Sequence, residues 1–155
     1  MNIVRALPED ASEILALQQL AYHSEALLYN DFGIPPLMQT LRELEDELTV
    51  KVFLKVRVEG KIVGSVRGSL TDGTGFIERL IVHPDYQGQG FGTALMRQIE
   101  ASLERAQRLE LFTGHKSERN IRLYEKLGYK LFKREEINPN LSFVFMEKRN
   151  VKLSM

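Results

Sequence analysis

Alternating apolar and polar positions predict strands in the middle and at the end of the chain. In VKVFLKVRV every second residue from Val50 to Val58 is aliphatic, so one face of this segment is apolar. A tight turn at EGK joins it to IVGSVRGSL, and a second turn at TDGTG leads into FIERLIV, which predicts consecutive hairpins. Strands are also predicted at NIVRA, RLELFT, YKLFKRE and LSFVFMEK, the last two joined by a turn at INPN.

Helices are predicted where apolar residues recur every three or four positions. The segment PEDASEILALQQLAY opens with a proline and acidic residues, which suit a first helical turn. Further helices are predicted at LMQTLRELEDELT, after the glycine-rich segment at TALMRQIEASLERA, and at SERNIRLYEKLG, which ends at Gly128, a residue typical of helix C-termini. Between the first two helices, residues 22–36 are expected to form a loop.

The order of these elements, β-α-α-β-β-β-α-β-α-β-β, predicts an α/β (α+β) fold with a mostly antiparallel sheet. One βαβ unit, residues 76–113, requires a pair of parallel strands. The chain has 155 residues and no repeat or linker that divides it. We therefore expect one domain over residues 1–148, followed by a C-terminal tail, residues 149–155.

Composition argues against several classes of function. Basic and acidic residues both number 21, so the formal net charge is zero, whereas a general nucleic-acid binder is usually basic. There is no cysteine, and three scattered histidines do not have metal-ligand spacing, so no metal is expected. No apolar run approaches the roughly 20 residues of a membrane span, and the N-terminus lacks the apolar core of a signal peptide. A cytoplasmic protein without nucleic-acid or membrane partners is expected.

The segment HPDYQGQGFG places three glycines between a predicted strand and a predicted helix. Glycine lets a ligand approach the backbone closely, and a helix N-terminus presents unpaired N–H groups with a partial positive charge. Together they predict a site for phosphate or pyrophosphate, with a simple tight turn as the alternative. No lysine follows as in a Walker A loop, and the third glycine of a dinucleotide-binding pattern is replaced by Thr93. A dinucleotide site remains an alternative.

The stretch IERLIVHPDYQGQGFGTALM closely resembles the acyl-CoA-binding motif of the GNAT N-acetyltransferase superfamily. The family pattern, Gln or Arg-x-x-Gly-x-Gly or Ala, is met by Gln87, Gly90 and Gly92. NIRLYEKLGY resembles the second family motif, and the predicted element order matches the family to about residue 148.

The resemblance implies a six- to seven-stranded sheet with helices on both faces and two parallel strands that splay apart. The pantetheine arm of acetyl-CoA enters between these strands like an additional strand. Backbone groups of Leu80, Ile81 and Val82 are expected to hold that arm. The pyrophosphate is expected at the N–H groups of the following loop, which comprises Gln87, Gly88, Gln89, Gly90, Phe91, Gly92 and Thr93.

The implied reaction is direct attack of an amine on the thioester, which requires an acid for the leaving thiolate and a base for the amine. Tyr124 matches the family's acid by its motif position, with packing of its helix as the alternative. Glu78 and Glu110 are candidates for the base, and a chain of water molecules is a third. Either carboxylate has an alternative role in an ion pair, Glu78 with Arg79 and Glu110 with Arg108.

One position departs from the family pattern. Many members carry an asparagine seven residues before the tyrosine, where this chain has Ser117. Asn120 is therefore a candidate cofactor contact, and Ser117 is either a weaker one or only a helix N-cap. Lys116, Arg119 and Arg122 are candidates for the 3′-phosphate of CoA, with a solvated surface as the alternative.

The acceptor is expected to be a primary amine of a small molecule or a protein, bound near residues 22–36. This segment contains aromatic and acidic residues suited to a cation, although its aromatics are equally expected to pack into the core. A non-catalytic acyl-CoA-binding regulatory module is the alternative to an enzyme. The final strand LSFVFMEK has two alternative positions. It either lies at a homodimer contact or is an edge strand covered by the tail.

Overall fold

The computed structural model describes residues 1–150, and their strands form one seven-stranded sheet. The strand order is β1-β2-β3-β4-β5-β7-β6, and only β4 and β5 are parallel neighbours. This arrangement confirms the predicted fold class and the βαβ unit. The strands are β1 (Ile3–Arg5), β2 (Val52–Val58), β3 (Lys61–Thr71), β4 (Thr74–Val82), β5 (Arg108–Gly114), β6 (Lys130–Asn138) and β7 (Leu141–Arg149).

Helices cover both faces of the sheet. Along β2, Leu54 and Val56 belong to one apolar cluster and Phe53 to another, because successive side chains of a strand point to opposite faces. The first cluster is completed by α4 and α5, and the second by α1 and α3. The helices are α1 (Ala11–Tyr29), α2 (Pro35–Met38), α3 (Leu41–Val50), α4 (Phe91–Ser102) and α5 (Glu118–Lys126), and single 3₁₀ turns lie at Pro8–Asp10 and Pro84–Tyr86. None of the helices in residues 1–150 is both long and apolar enough to span a membrane.

The loop predicted for residues 22–36 was wrong for its first half, because α1 continues to Tyr29. The segment AYHSEALLY contains neither glycine nor proline, so nothing in it breaks the helix. The helix ends at Asn30, whose φ of 50° lies in the left-handed region that asparagine tolerates. Residues predicted to lie on a loop therefore lie on a rigid element.

The second helix begins later than predicted. The side chain of Thr40 accepts a hydrogen bond from the Glu43 N–H, and the Glu43 carboxylate accepts one from the Thr40 N–H. This capping box starts α3 at Leu41. Leu37, which has the same apolar spacing, instead lies in the separate short helix α2.

The final strand is not at an edge of the sheet. β7 pairs with β5 on one side and with β6 on the other, so β6 occupies the edge. Of the two alternatives for LSFVFMEK, the edge strand covered by the tail is therefore wrong, because sequence order does not give the spatial order of the last hairpin. β7 extends to Arg149, the first residue of the predicted tail, and residues 151–155 of that tail lie outside the described part of the chain.

Candidate active site

The parallel strands β4 and β5 separate along their length. They pair at only three positions, the last of which joins Phe76 to Glu110. Beyond it β4 runs on to Val82 against β3, and β5 runs on to Gly114 against β7. Two strands that remain fixed to their outer neighbours thus leave a wedge-shaped gap in the middle of the sheet.

A β-bulge lies in β4 beside this gap. Ser65 of β3 pairs with Ile81 and Arg67 pairs with Glu78, so two residues of β4 lie opposite the single residue Val66. Arg79 is one of the two, and its φ of 53° lies in the left-handed region. The bulge interrupts the alternation of side chains in the part of β4 that borders the gap.

The glycine loop, defined as residues 87–92, connects the gap to the start of α4. Gly88 and Gly90 have φ values of 76° and 88°, which residues with a side chain rarely adopt. Gly90 is the N-cap of α4, so no side chain occupies the unpaired N–H groups of the first turn. At Gly92 an added Cβ would make a tight contact of 3.3 Å with Leu123 of α5, so close packing of the two helices explains the third glycine of the loop. These features support the predicted anion site.

The glycine-loop groove is a cavity of about 760 Å³ between this loop, β4, α1 and α5. Its walls include nearly every residue predicted to bind the cofactor: Leu80, Ile81, Val82, Gln87, Gly88, Gly90, Phe91, Gly92, Thr93, Ser117 and Asn120. Gln89 does not line it, and its side chain instead donates to the Asp85 carbonyl. Four cationic side chains also line the groove, which favours an anionic ligand: Lys116, Arg119, Arg122 and Lys126.

The inner pocket, of about 150 Å³, opens at the same gap and is enclosed by α1, α2, β4, β5, β7 and α5. Most of its walls are apolar, including Ile34, Ile77, Leu80, Phe112 and Phe143. Five residues line both cavities: Tyr22, Glu25, Leu80, Ser117 and Asn120. The groove and the inner pocket therefore meet where β4 and β5 part.

Tyr124 lies in the wall of the inner pocket and is buried, with 5% of its surface exposed. Burial raises the pKa of its phenol, and the nearby Tyr22 and Glu25 add to this effect, so the hydroxyl stays protonated at neutral pH. Within residues 1–150 no protein group accepts or donates a hydrogen bond at this hydroxyl, which leaves it available to a ligand.

A directed chain of hydrogen bonds ends at the carboxylate of Glu25. The backbone N–H of Lys116 donates to the Tyr29 hydroxyl at 2.9 Å, and that hydroxyl lies 3.1 Å from the Ser117 hydroxyl. Ser117 in turn donates to the carboxylate, with its oxygen 2.8 and 3.0 Å from the two carboxylate oxygens. Ser117 has one proton, so Tyr29 must be the donor between the two hydroxyls.

Two opposing effects act on Glu25. Burial raises the pKa of its carboxyl above the usual value, while the hydrogen bond from Ser117 lowers it. Burial is the larger effect, so the pKa is raised overall. A carboxylate with a raised pKa is a stronger base than an ordinary one, so at the junction of two cavities it is suited to accept a proton.

The sequence pattern does not single out Glu25 as a base, because it predicts a loop at residues 22–36 and a cap or cofactor contact at Ser117. Ser117 does occupy the N-cap position of α5, but its side chain makes no capping bond and is committed to Glu25 and Tyr29. The helical spacing of Tyr22, Glu25 and Tyr29 was the signal that would have placed them on one face of α1.

The two glutamates predicted as bases occupy different surroundings. Glu78 lines the inner pocket, but its carboxylate pairs with Lys51 at 2.8 Å rather than with Arg79. Glu110 lies at the closed end of the β4–β5 pair and lines neither cavity. Its carboxylate pairs with Arg108 at 2.8 Å, the alternative that the sequence also offered.

Comparisons with known proteins agree with this geometry. The model of the acetyltransferase (GNAT) family matches residues 14–129. An acetyltransferase from Yersinia pestis (strain Pestoides F) is 34% identical over 124 residues, covering 78% of this chain and 82% of that protein.

Solved structures share the fold. The ribosomal-protein-S18-alanine N-acetyltransferase from Escherichia coli superposes with a TM-score of 0.78 at 18% identity, covering 96% of this chain and 92% of that one. The yncA protein from Salmonella typhimurium, solved with its cofactor acetyl-CoA, has a TM-score of 0.75 at 21% identity, covering 97% and 94%.

Gly114→Ala is expected to disrupt the hydrogen-bond chain. A Cβ at this position would lie 2.1 Å from the Tyr29 hydroxyl oxygen, so Tyr29 must move and release Ser117. We expect a loss of about 1–3 kcal/mol in the free energy of unfolding, measured by denaturant titration. Gly33→Ala, whose Cβ would have only an ordinary contact of 3.4 Å with Asp31, is the control. Equal stability of the two variants would contradict this packing.

Proposed function

Because the chain belongs to the GNAT acetyltransferase family, we propose that it moves an acetyl group from acetyl-CoA to a primary amine by direct nucleophilic attack. The observation that carries the proposal is the meeting of the glycine-loop groove and the inner pocket at the gap between β4 and β5. A donor in the groove and an acceptor in the pocket can react only at that junction.

The groove suits the donor. Its glycine loop and the first turn of α4 would take the pyrophosphate, and its cationic side chains would meet the remaining phosphate. The unpaired edge of β4, at Leu80 to Val82, would hold the pantetheine arm as an additional strand. The thioester then reaches the junction, where the backbone N–H near Leu80 is our candidate for stabilising the developing oxyanion.

Tyr124 is proposed to assist the leaving group. The nitrogen–carbon bond forms as the amine attacks, and the carbon–sulfur bond then breaks to release the CoA thiolate. A protonated phenol in the pocket wall stabilises this thiolate by donating a hydrogen bond, and burial keeps that phenol protonated.

Glu25 is proposed as the base in preference to Glu78 and Glu110. An alkylammonium with a pKa of about 10 must lose a proton before it can attack. Glu25 lies at the junction and carries no cationic partner among residues 1–150, whereas Glu78 and Glu110 are each paired with a cation. Tyr29 and Ser117 would position its carboxylate through the hydrogen-bond chain.

The activity is tested by following free thiol release from acetyl-CoA with a panel of polyamines, amino acids, aminoglycosides and N-terminal peptides. Acetylation of at least one amine, identified by mass spectrometry, is the expected result. Tight CoA binding without turnover of any amine would favour a regulatory acyl-CoA-binding module. Thermal stabilisation by NAD(P) but not by CoA would favour a dinucleotide-dependent protein instead.

Tyr124→Phe is expected to lower kcat by on the order of 10- to 100-fold while leaving the Kd for acetyl-CoA within about twofold. The reason is that the lost hydrogen bond forms only as the thiolate develops. Tyr129→Phe is the matched control, because Tyr129 is also buried beside Tyr124 but donates to Glu100. An unchanged kcat in Tyr124→Phe would remove this residue from the mechanism.

The proposed base predicts a specific pH dependence. The wild-type kcat should rise with pH as Glu25 loses its proton, over a range above the usual carboxyl pKa because the pKa is raised. Glu25→Gln should lower kcat by about 10²- to 10⁴-fold and abolish this rise, and Ser117→Ala should move it to higher pH. Glu78→Gln and Glu110→Gln should both retain the rise of kcat with pH. If one of these variants loses the rise while Glu25→Gln retains it, the glutamate replaced in that variant is the base.

A further inference from the structure

Four consecutive residues of β4, from Ile77 to Leu80, line the inner pocket. In a regular strand only every second residue can face a given cavity. The bulge at Arg79 removes that restriction and places this residue in the wall of the same pocket as Glu78 and Leu80. A non-glycine residue in the left-handed region is strained, and such strain is concentrated at functional sites.

The charges beside this pocket leave one cation without a partner. Arg67 pairs with Glu47 at 2.9 Å, Glu47 with Lys51 at 2.8 Å, and Lys51 with Glu78 at 2.8 Å. This run of two cations and two carboxylates is neutral. Arg79 has no carboxylate within 4.0 Å among residues 1–150, and it makes one long hydrogen bond of 3.4 Å to Gln39.

That bond adds little, because the same Gln39 oxygen already accepts from Gln18 at 2.9 Å and from Arg67 at 3.2 Å. Arg79 is only partly exposed, so its guanidinium has lost part of its hydration without gaining an anion. Five donors in a planar fork match a carboxylate or a phosphate and leave a bidentate site unfilled.

Arg79 also lies close to the junction of the two cavities. Burial raises the pKa of the Tyr22 phenol. Positive charges nearby oppose this rise, and the charge of Arg79 has the largest opposing effect. Tyr22 lines both the inner pocket and the groove, as does Glu25. Arg79 and two carboxylates, Glu25 and Glu78, therefore line one small pocket whose remaining walls are largely apolar. Glu78 is already paired with Lys51, which leaves Arg79 and Glu25 as the charges without a partner of opposite sign among residues 1–150.

We infer that the acceptor is a small zwitterion, in which Arg79 binds a carboxylate or phosphate while the amine lies at the junction beside Glu25. The inference rests on the proposed function and deepens it. A pocket of about 150 Å³ is the size of cavity that admits a benzene-sized molecule, so the body between the two charges is short and partly apolar. Amines with only positive charge would leave the guanidinium unpaired and would place like charges together.

The test compares amines that differ in the anionic group: β-alanine with β-alaninamide, L-leucine with L-leucinamide, and O-phosphoethanolamine with ethanolamine. Rates are expressed per unprotonated amine, because an amide lowers the pKa of a neighbouring amine. We expect kcat/KM to be at least about tenfold higher for the anionic member of one or more pairs. The phosphate pair and the carboxylate pairs identify which anion Arg79 prefers.

Arg79→Gln should then lower kcat/KM for the anionic member by about 10- to 100-fold, mainly through KM, and leave its neutral counterpart unchanged. Arg79→Lys should restore part of the preference, because it keeps the charge but loses the planar fork. Arg79→Asn is a second neutral variant that tolerates the left-handed backbone of the bulge. Arg97→Gln, an exposed substitution on α4 outside both cavities, is the matched control.

Equal rates for both members of every pair, or an equal loss for both in Arg79→Gln, would overturn the inference. If no member turns over, calorimetry with the CoA-saturated protein measures the same preference as a Kd. Tighter binding of the anionic member supports the inference, and equal or undetectable binding of both overturns it. Absence of CoA binding would instead contradict the proposed function, so the two failures are distinguishable.

Discussion

The end of pairing between β4 and β5 after Phe76 and Glu110 is the constraint from which the site follows. Each strand remains bonded to its outer neighbour, β4 to β3 and β5 to β7, so the sheet holds its shape while its centre opens. An unpaired strand edge inside a sheet is costly unless a ligand completes it. The glycine loop, the groove and the inner pocket are all arranged around that opening.

The polar groups at the opening have distinct surroundings that separate their roles. Partial burial raises the pKa of Glu25 despite the hydrogen bond from Ser117, whereas Glu78 is neutralised by Lys51. Tyr124 is buried without a protein partner among residues 1–150 and keeps its proton. In the proposed mechanism, environment more than residue type therefore distinguishes the proton acceptor, the structural carboxylate and the proton donor.

Local patterns predicted the fold class, the family and most of the groove. The alternation in VKVFLKVRV and the glycines of HPDYQGQGFG each determine structure within a few residues, so both can be recognised without tertiary structure. The bulge at Arg79 was not predicted, because FIERLIV has the pattern of an uninterrupted strand and the extra residue appears only in its register with β3. Glu25, the proposed base, was also missed, because its contact with Ser117 spans 92 positions and depends on α1 continuing past Tyr22.

The central claim is that the open edge of β4 holds the CoA arm as an additional strand. A crystal structure of the protein with CoA tests it most directly. The account predicts hydrogen bonds between the pantetheine amides and the backbone of Leu80 to Val82, with the pyrophosphate at the first turn of α4. CoA bound elsewhere, or side chains filling the gap between β4 and β5 in the complex, would contradict it.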